Sequence, residues 1–165
     1  MTLTKYCTSL GVGYDTEFTP FLRIDRQAFY TIYPEENGIA WYGGVDALIR
    51  YDGNVTKDYA VDFPALIRRV IAGADSVIFD GLPFDNADAE PSLAYAHNSL
   101  RFECAAPSYD NLSANQYQYF LEGFDKGWSS WSKETKKDYT NLPHGRHRFH
   151  VRAKNIYAHH SSEGV

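Results

Sequence analysis

The stretch Gln116–Asn155, QYQYFLEGFDKGWSSWSKETKKDYTNLPHGRHRFHVRAKN, decides the fold. Its last part, from Gly145 to Asn155, alternates without a break. His147, Phe149, Val151 and Ala153 point one way, and Arg146, Arg148, His150, Arg152 and Lys154 point the other. A period of two over this length predicts a strand with one buried and one wet face. Leu142–Gly145 reads as the turn before it, because Pro143 presets φ and Gly145 accepts φ > 0 without steric cost. Tyr139 then falls at the end of the preceding strand. Further upstream Tyr117, Tyr119 and Leu121 alternate with Gln118, Phe120 and Glu122, until Gly123-Phe124-Asp125 breaks the run. Trp128 and Trp131 follow in a polar Ser/Lys loop.

A tyrosine at the corner between two such strands is common in immunoglobulin-like and fibronectin-like sandwiches. The elements also carry a resemblance in their order. Tyr117, Tyr119, Leu121, Gly123, Asp125 and Trp128 give Y-x-Y-x-L-x-G-x-D-x-x-W. Tyr139-Thr140-Asn141-Leu142-Pro143-x-Gly145 follows, and then Phe149-x-Val151-x-Ala153-x-Asn155. This series, over about Leu93 to Asn155, resembles the triple-tyrosine (Y_Y_Y) domain found in the sensor parts of bacterial two-component regulators. The resemblance implies that these residues are structural, and that the third tyrosine of the family falls where this chain has His147. Histidine keeps a flat ring there and adds a group that titrates near neutrality.

With 165 residues the chain can hold one ordinary domain or two small ones. Its 13 Tyr, 10 Phe and 3 Trp against a single Met favour pleated, half-buried surfaces, so the composition leans to β structure. The net charge is −5, split as −4 over residues 1–83 (7 basic, 11 acidic) and −1 over 84–165 (9 basic, 10 acidic). Neither half has the basic excess that nucleic-acid binding requires. The basic strand 146–154 reads as a solvated face. Cys7 and Cys104 form no CxxC pair, and Cys104 has the parity of a buried small hydrophobe. No run approaches about 18 apolar residues, so no membrane insertion by this chain is expected. The N-terminus lacks an apolar signal core.

In chain order, FLRI (Phe21–Ile24) and AFYTIY (Ala28–Tyr33) read as a strand pair, and Pro34–Gly38 as a turn. GIAWYGG (38–44) and ALIRYD (47–52) are two further strands. The Gly, Trp, Gly-Gly, Tyr-Asp pattern resembles one blade of the β-propellers found in the same sensors. A propeller needs about four to eight blades, and this chain holds roughly one. FPALIRRVIAGADSVIFDG (63–81) has helical spacing at Leu66, Ile67, Val70 and Ile71, but its β-branched content favours two strands joined at Gly73-Ala74-Asp75. Residues 82–91 are polar, acidic and proline-flanked. Ser92–Ala96 reads as a short edge strand, and Ser99–Ala106 as a strand with Leu100, Phe102, Cys104 and Ala106 inward. The expected fold is therefore all-β. It has a partial propeller-blade region over 1–83, a linker over 84–91, and an immunoglobulin/fibronectin-like antiparallel sandwich over 92–165. By the resemblance this sandwich lacks its last strand, leaving an open sheet edge.

Catalysis requires a nucleophile, base or metal in mutual reach. The chain has no HExxH, no GxSxG and no phosphate-cradling loop. His147 and His150, three apart on a strand, face opposite ways, and His159-His160 is only a weak metal candidate. No catalytic residue, cofactor or metal site is expected, and the chain does not read as an enzyme. Trp128 and Trp131 are candidates for stacking a glycan ligand, with packing over the core or a loop as the alternative. Two functions fit. The resemblance implies an extracytoplasmic, periplasmic sensor or relay module, working with a propeller and a membrane-linked kinase. It would act as a homodimer, or self-associate through open edges. The alternative is a carbohydrate-binding or spacer module of a secreted glycan-active protein.

Overall fold

The structure is a computed structural model that describes residues 6–9, 14–24, 28–81 and 91–164, with only the backbone described over 6–9 and 14–16. The chain is all-β and divides into two compact units, Met1–Val61 and Asp62–Val165. The strands are β1 (Tyr6–Ser9), β2 (Tyr14–Glu17), β3 (Phe29–Pro34), β4 (Ile39–Gly44), β5 (Leu48–Asp52), β6 (Leu66–Ala72), β7 (Ser76–Phe79), β8 (Leu100–Ala105), β9 (Gln116–Glu122), β10 (Lys136–Tyr139) and β11 (Arg148–Lys154).

In the first unit β1 and β2 form a hairpin, and β3, β4 and β5 form a three-stranded antiparallel meander. The turn at 34–38 is closed by the Glu35 N–H donating to the Ile39 carbonyl at 2.8 Å, with Gly38 at φ 73°. Asn54 stitches the next turn to this one, its Nδ2 donating to the Asn37 carbonyl at 2.6 Å. Phe21, Phe29, Ala40 and Tyr42 make a small core. FLRI is not a strand: Thr19–Ile24 is a 3-10 helix. Pro20 suits a first helical turn, where a missing N–H costs nothing. Phe21 is the helix's buried residue, packed edge-on to Tyr42 at 5.6 Å.

The second unit contains two antiparallel sheets, ordered β10-β8-β6-β7 and β11-β9. The chain changes sheet at each step from β8 to β11, so hydrophobic parity has to be right in every strand. Phe102 from one sheet and Phe149 from the other stack at 3.8 Å and 8°. Around them lie Phe63, Val70, Cys104, Tyr117, Tyr119, Leu121, Tyr139, Leu142, Val151 and Ala153, all buried. The region 63–81 forms the two expected strands, and Gly73 takes φ 65° at their turn.

Their place differs from the expected division. β6 pairs with β8 along its length, from Leu66↔Ala105 to Ala72↔Leu100. Residues 62–81 thus belong to the sandwich, because Val70 and Ala72 bury the same face as Phe102. The compact units meet at Val61/Asp62; the expected linker 84–91 lies, apart from Pro91, outside the described residues. Ser92–Ala96 is not an edge strand. Tyr95–His97 is a 3-10 turn, and both sides of β8 are already taken by β6 and β10. Nor is β11 left with a bare edge. Residues 160–164 double back along it, with Lys154↔His160 and Val151↔Gly164 as antiparallel bridges.

Candidate functional site

The motif residues form two groups on opposite faces of the β9–β11 sheet. The inner group is aromatic. The Tyr117 and Tyr119 rings lie parallel at 6.4 Å and 5°, as expected for neighbours two apart on one strand face. The Tyr119 hydroxyl donates to the Glu134 carbonyl. Burial pushes the Tyr119 phenol far above the usual tyrosine range, so it stays a neutral donor. Tyr139 stands edge-on to Phe102 at 6.0 Å and to Phe149 at 6.2 Å. Burial raises its phenol as well, helped by a hydrogen bond to the Asp125 carboxylate.

Asp125 ties this corner together. Its Oδ2 accepts from the Leu121 N–H and from the Tyr139 hydroxyl, each at 2.8 Å, while its own N–H donates to the Leu121 carbonyl at 2.8 Å. The turn requires Gly123 at φ 84°, where a Cβ would sit 2.9 Å from the Arg146 carbonyl oxygen. His147 fills the position beside it. Its Nδ1 lies 3.3 Å from the Glu122 carbonyl and its Nε2 3.1 Å from the Pro143 carbonyl, so the ring spans the end of β9 and the 142–145 turn. Leu142 is buried and held by its N–H to the Asn98 carbonyl at 2.9 Å. Gly145 has φ 150° and open space about it, so backbone conformation alone favours glycine there. Cys104 is buried in the same core, and burial pushes its thiol up to about 12, which keeps it protonated.

The outer group is a ladder of rings and cations. The Arg152 guanidinium carbon lies 4.3 Å from the Trp128 ring centre and 5.7 Å from that of Trp131, and Lys154 Nζ lies 4.5 Å from Trp131. Phe120 stacks on His150 at 5.5 Å and tilts against Trp128 at 5.9 Å. His160 packs on Trp131 at 5.3 Å. Arg152 is aimed by Gln118, whose Oε1 accepts from Nε at 2.9 Å and whose Nε2 donates to the Ser129 carbonyl at 2.8 Å. Such contacts between cations and rings contribute about 0.5–2 kcal/mol each, according to how dry they are. The two tryptophans are thus half-buried on the outer face, away from the core. Arg152 and Lys154, read from sequence as a solvated face, are their partners. The sequence signal was there: Arg152 and Lys154 share the outward parity of Gln118 and Phe120.

Among the described residues no three His, Cys, Asp or Glu side chains come together as a metal site. His159 Nε2 instead lies 3.0 Å from Asp62 Oδ1. No helix among the described residues is long and apolar enough to cross a membrane.

The fold defines an all-β protein with an antiparallel sandwich as its second unit. Residues 108–163, which hold β9, β10 and β11, match the Y_Y_Y domain family. Among solved structures the chain is similar to the extracellular domain of the hybrid two component system BT3049 of B. thetaiotaomicron. The identity is 19% and the TM-score 0.62, over 90% of this chain and 21% of that one. It is also similar to the extracellular domain of BT4673, a one component or hybrid two component system of B. thetaiotaomicron. Here identity is 18% and TM-score 0.48, over 98% of this chain and 23% of that one. The chain spans about a fifth of the length of these extracellular domains. No curated protein matches it.

Proposed function

We propose that the chain is a non-catalytic module of an extracytoplasmic two-component sensor. It couples ligand sensing by a propeller to a membrane-linked kinase or regulator. The observation that carries this reading is the Y_Y_Y match over 108–163, which falls on the strands built from the quoted motif. The likeness in fold to an extracellular domain of a hybrid two component system supports it. The three-stranded meander β3-β4-β5 is the part that would belong to a propeller blade. In the intact sensor this module works as a dimer or through paired sheet edges. The glycan-stacking reading of Trp128 and Trp131 is the weaker one, because Arg152, Lys154, Phe120 and His160 already contact their rings.

The test is a chimera. Residues 62–164 replace the matching segment of the extracellular domain of a hybrid two-component sensor with a known inducer. Inducer-dependent transcription is then measured in cells. Retained induction, within several-fold of the parent sensor, is expected. A chimera that reaches the membrane at parental levels but gives no inducible response would overturn the relay reading.

A further inference from the structure

After β11 the chain turns back sharply. Asn155 Oδ1 accepts from the N–H groups of Tyr157 and His159 at 3.0 and 3.1 Å, and Ala158 takes φ 60°. The returning segment His159–Gly164 then lies between two neighbours and bonds to both. Toward β11, the Ser161 N–H donates to the Ala153 carbonyl and the Ala153 N–H to Ser161 Oγ, both at 2.8 Å. Val151 and Gly164 exchange two backbone bonds of 2.9 Å. On the other side lies Phe63–Ala65, just past the point where the chain enters this unit. There the Ser162 N–H donates to the Phe63 carbonyl at 3.0 Å, and the Ala65 N–H to the Ser162 carbonyl at 3.2 Å. This is a parallel bridge, Pro64↔Ser162.

Side chains repeat the arrangement. His159 reaches Asp62 at 3.0 Å, and its ring packs on Phe63 at 6.0 Å. Glu163 Oε1 lies 2.5 Å from His150 Nδ1 on the β11 side. Gly164 fits where no larger residue does: a Cβ there would lie 2.3 Å from the Ala65 carbonyl oxygen and 3.1 Å from Val151 Cγ1. Phe63, Ala65, Val151 and Ala153 are all buried.

We infer that His159–Gly164 is a coupling element. It is bonded directly to the entry segment Asp62–Ala65, so that displacement of one is carried to the other by hydrogen bonds rather than through the sandwich core. Two parallel neighbours pulled in opposite directions load their cross-links sideways and together, not one after another. Close packing around them leaves little slack to absorb the movement. The inference deepens the relay reading and rests on it for its meaning, although its test does not.

The test is amide hydrogen exchange by NMR on the full chain. The N–H groups of Ala65 and Ser162 report the entry side, those of Val151 and Gly164 the β11 side, and the β8 amides the sandwich. In Gly164→Ala the clash with Ala65 should speed exchange at Ala65 and Ser162 at least tenfold while β8 changes little. In Phe63→Ala exchange should rise at Ser162 and also across the segment at Gly164 and Val151, beyond any change in β8. Leu142→Ala, a core truncation elsewhere, should show no such excess. The milder Phe63→Leu carries the same expectation if Phe63→Ala does not fold. The inference is overturned if Gly164→Ala opens β8 and the segment alike. It is equally overturned if the Phe63 variants leave Gly164 and Val151 as protected, relative to β8, as Leu142→Ala does. None of these readouts involves signalling. A silent chimera with coupled amides would count against the relay reading alone, and uncoupled amides against this inference alone.

Discussion

Phe149→Ala tests the inward parity of β11, from which the sandwich was read. Phe149 is 6% exposed and sits at the centre of the ring cluster. It is stacked on Phe102 at 3.8 Å and also meets Tyr119 at 5.9 Å and Tyr139 at 6.2 Å. Removing a buried phenylalanine costs about 3–5 kcal/mol. Aromatic pairs contribute roughly 0.5–1.5 kcal/mol beyond area, and three are lost here, so the cost belongs at the upper end, about 4–5 kcal/mol. Phe120 is the internal comparison. It lies on the other parity, half-buried, against His150 and Trp128, and its truncation should cost about 1–2 kcal/mol. Urea unfolding followed by near-UV circular dichroism separates the two. With a slope of about 1.5–2 kcal/mol per molar, Phe149→Ala should lower the midpoint by about 2–3 M and Phe120→Ala by about 1 M or less. A Phe149→Ala protein within about 1 kcal/mol of the parent, or equal losses from both, would refute the assignment of faces.

Three further outcomes are expected. Asp125→Ala strands the Leu121 N–H and the Tyr139 hydroxyl, each worth about 1–3 kcal/mol when left unmade, so it should destabilise by at least twice as much as Tyr139→Phe; equal losses in urea unfolding would remove Asp125 as the common anchor. Asp138 takes a two-pronged bond from Arg101 at 2.7 and 3.0 Å, which lowers its pKa. Its contribution should therefore be complete above the unfolded carboxylate pKa of about 3.9 and vanish as pH falls through the lower folded value. Because the pair is exposed, Asp138→Asn should cost under about 1 kcal/mol at neutral pH and nothing at the acid end, and a constant penalty across pH would contradict this. Finally, β3 and β7 have no strand beyond them among the described residues, and such edges recruit partners through backbone bonds. Light scattering behind a sizing column should give a species above 18.8 kDa that persists in raised salt; a clean monomer at high concentration would sink the edge argument.

Parity was the legible part of the sequence. Period-two runs placed β8, β9 and β11 with the right face inward, and β-branched residues outweighed the helical spacing of 66–71. What stayed hidden was pairing between distant segments. Nothing local says that Ile67 lies opposite Cys104 rather than in a blade, so local patterning groups 62–81 with the blade region whereas β6 pairs with β8. Short apolar runs also mislead: FLRI and the 92–96 segment have too few residues to establish a period, and the structure has 3-10 turns at Thr19–Ile24 and Tyr95–His97 instead. For the candidate site, the motif spacing singles out residues but does not give their sides. Leu121, Asp125 and Tyr139 meet at one corner, whereas Trp128 and Trp131 fall on the opposite face.

The β9–β11 sheet shows why the outer face matters. Two strands alone are marginal in water; this pair packs its inner face on the other sheet, and its two edges are covered by segments that are not strands. On the β9 side Tyr117 and Ser132 exchange two backbone bonds, and the Ser129 N–H donates to the Tyr119 carbonyl at 2.9 Å. On the β11 side residues 160–164 do the same work. Irregular chain pairs poorly unless something else fixes it, and each flank has a fastener. Trp128 and Trp131 are held down by Arg152 and Lys154, so the 129–132 loop cannot lift without breaking contacts between cations and rings. The returning segment is held by Glu163 on His150 and by His160 on Trp131. Trp131 thus touches both flanks. The ladder therefore acts as a brace across the sheet, and it gives the loop and the C-terminal segment a common support on the face away from the core.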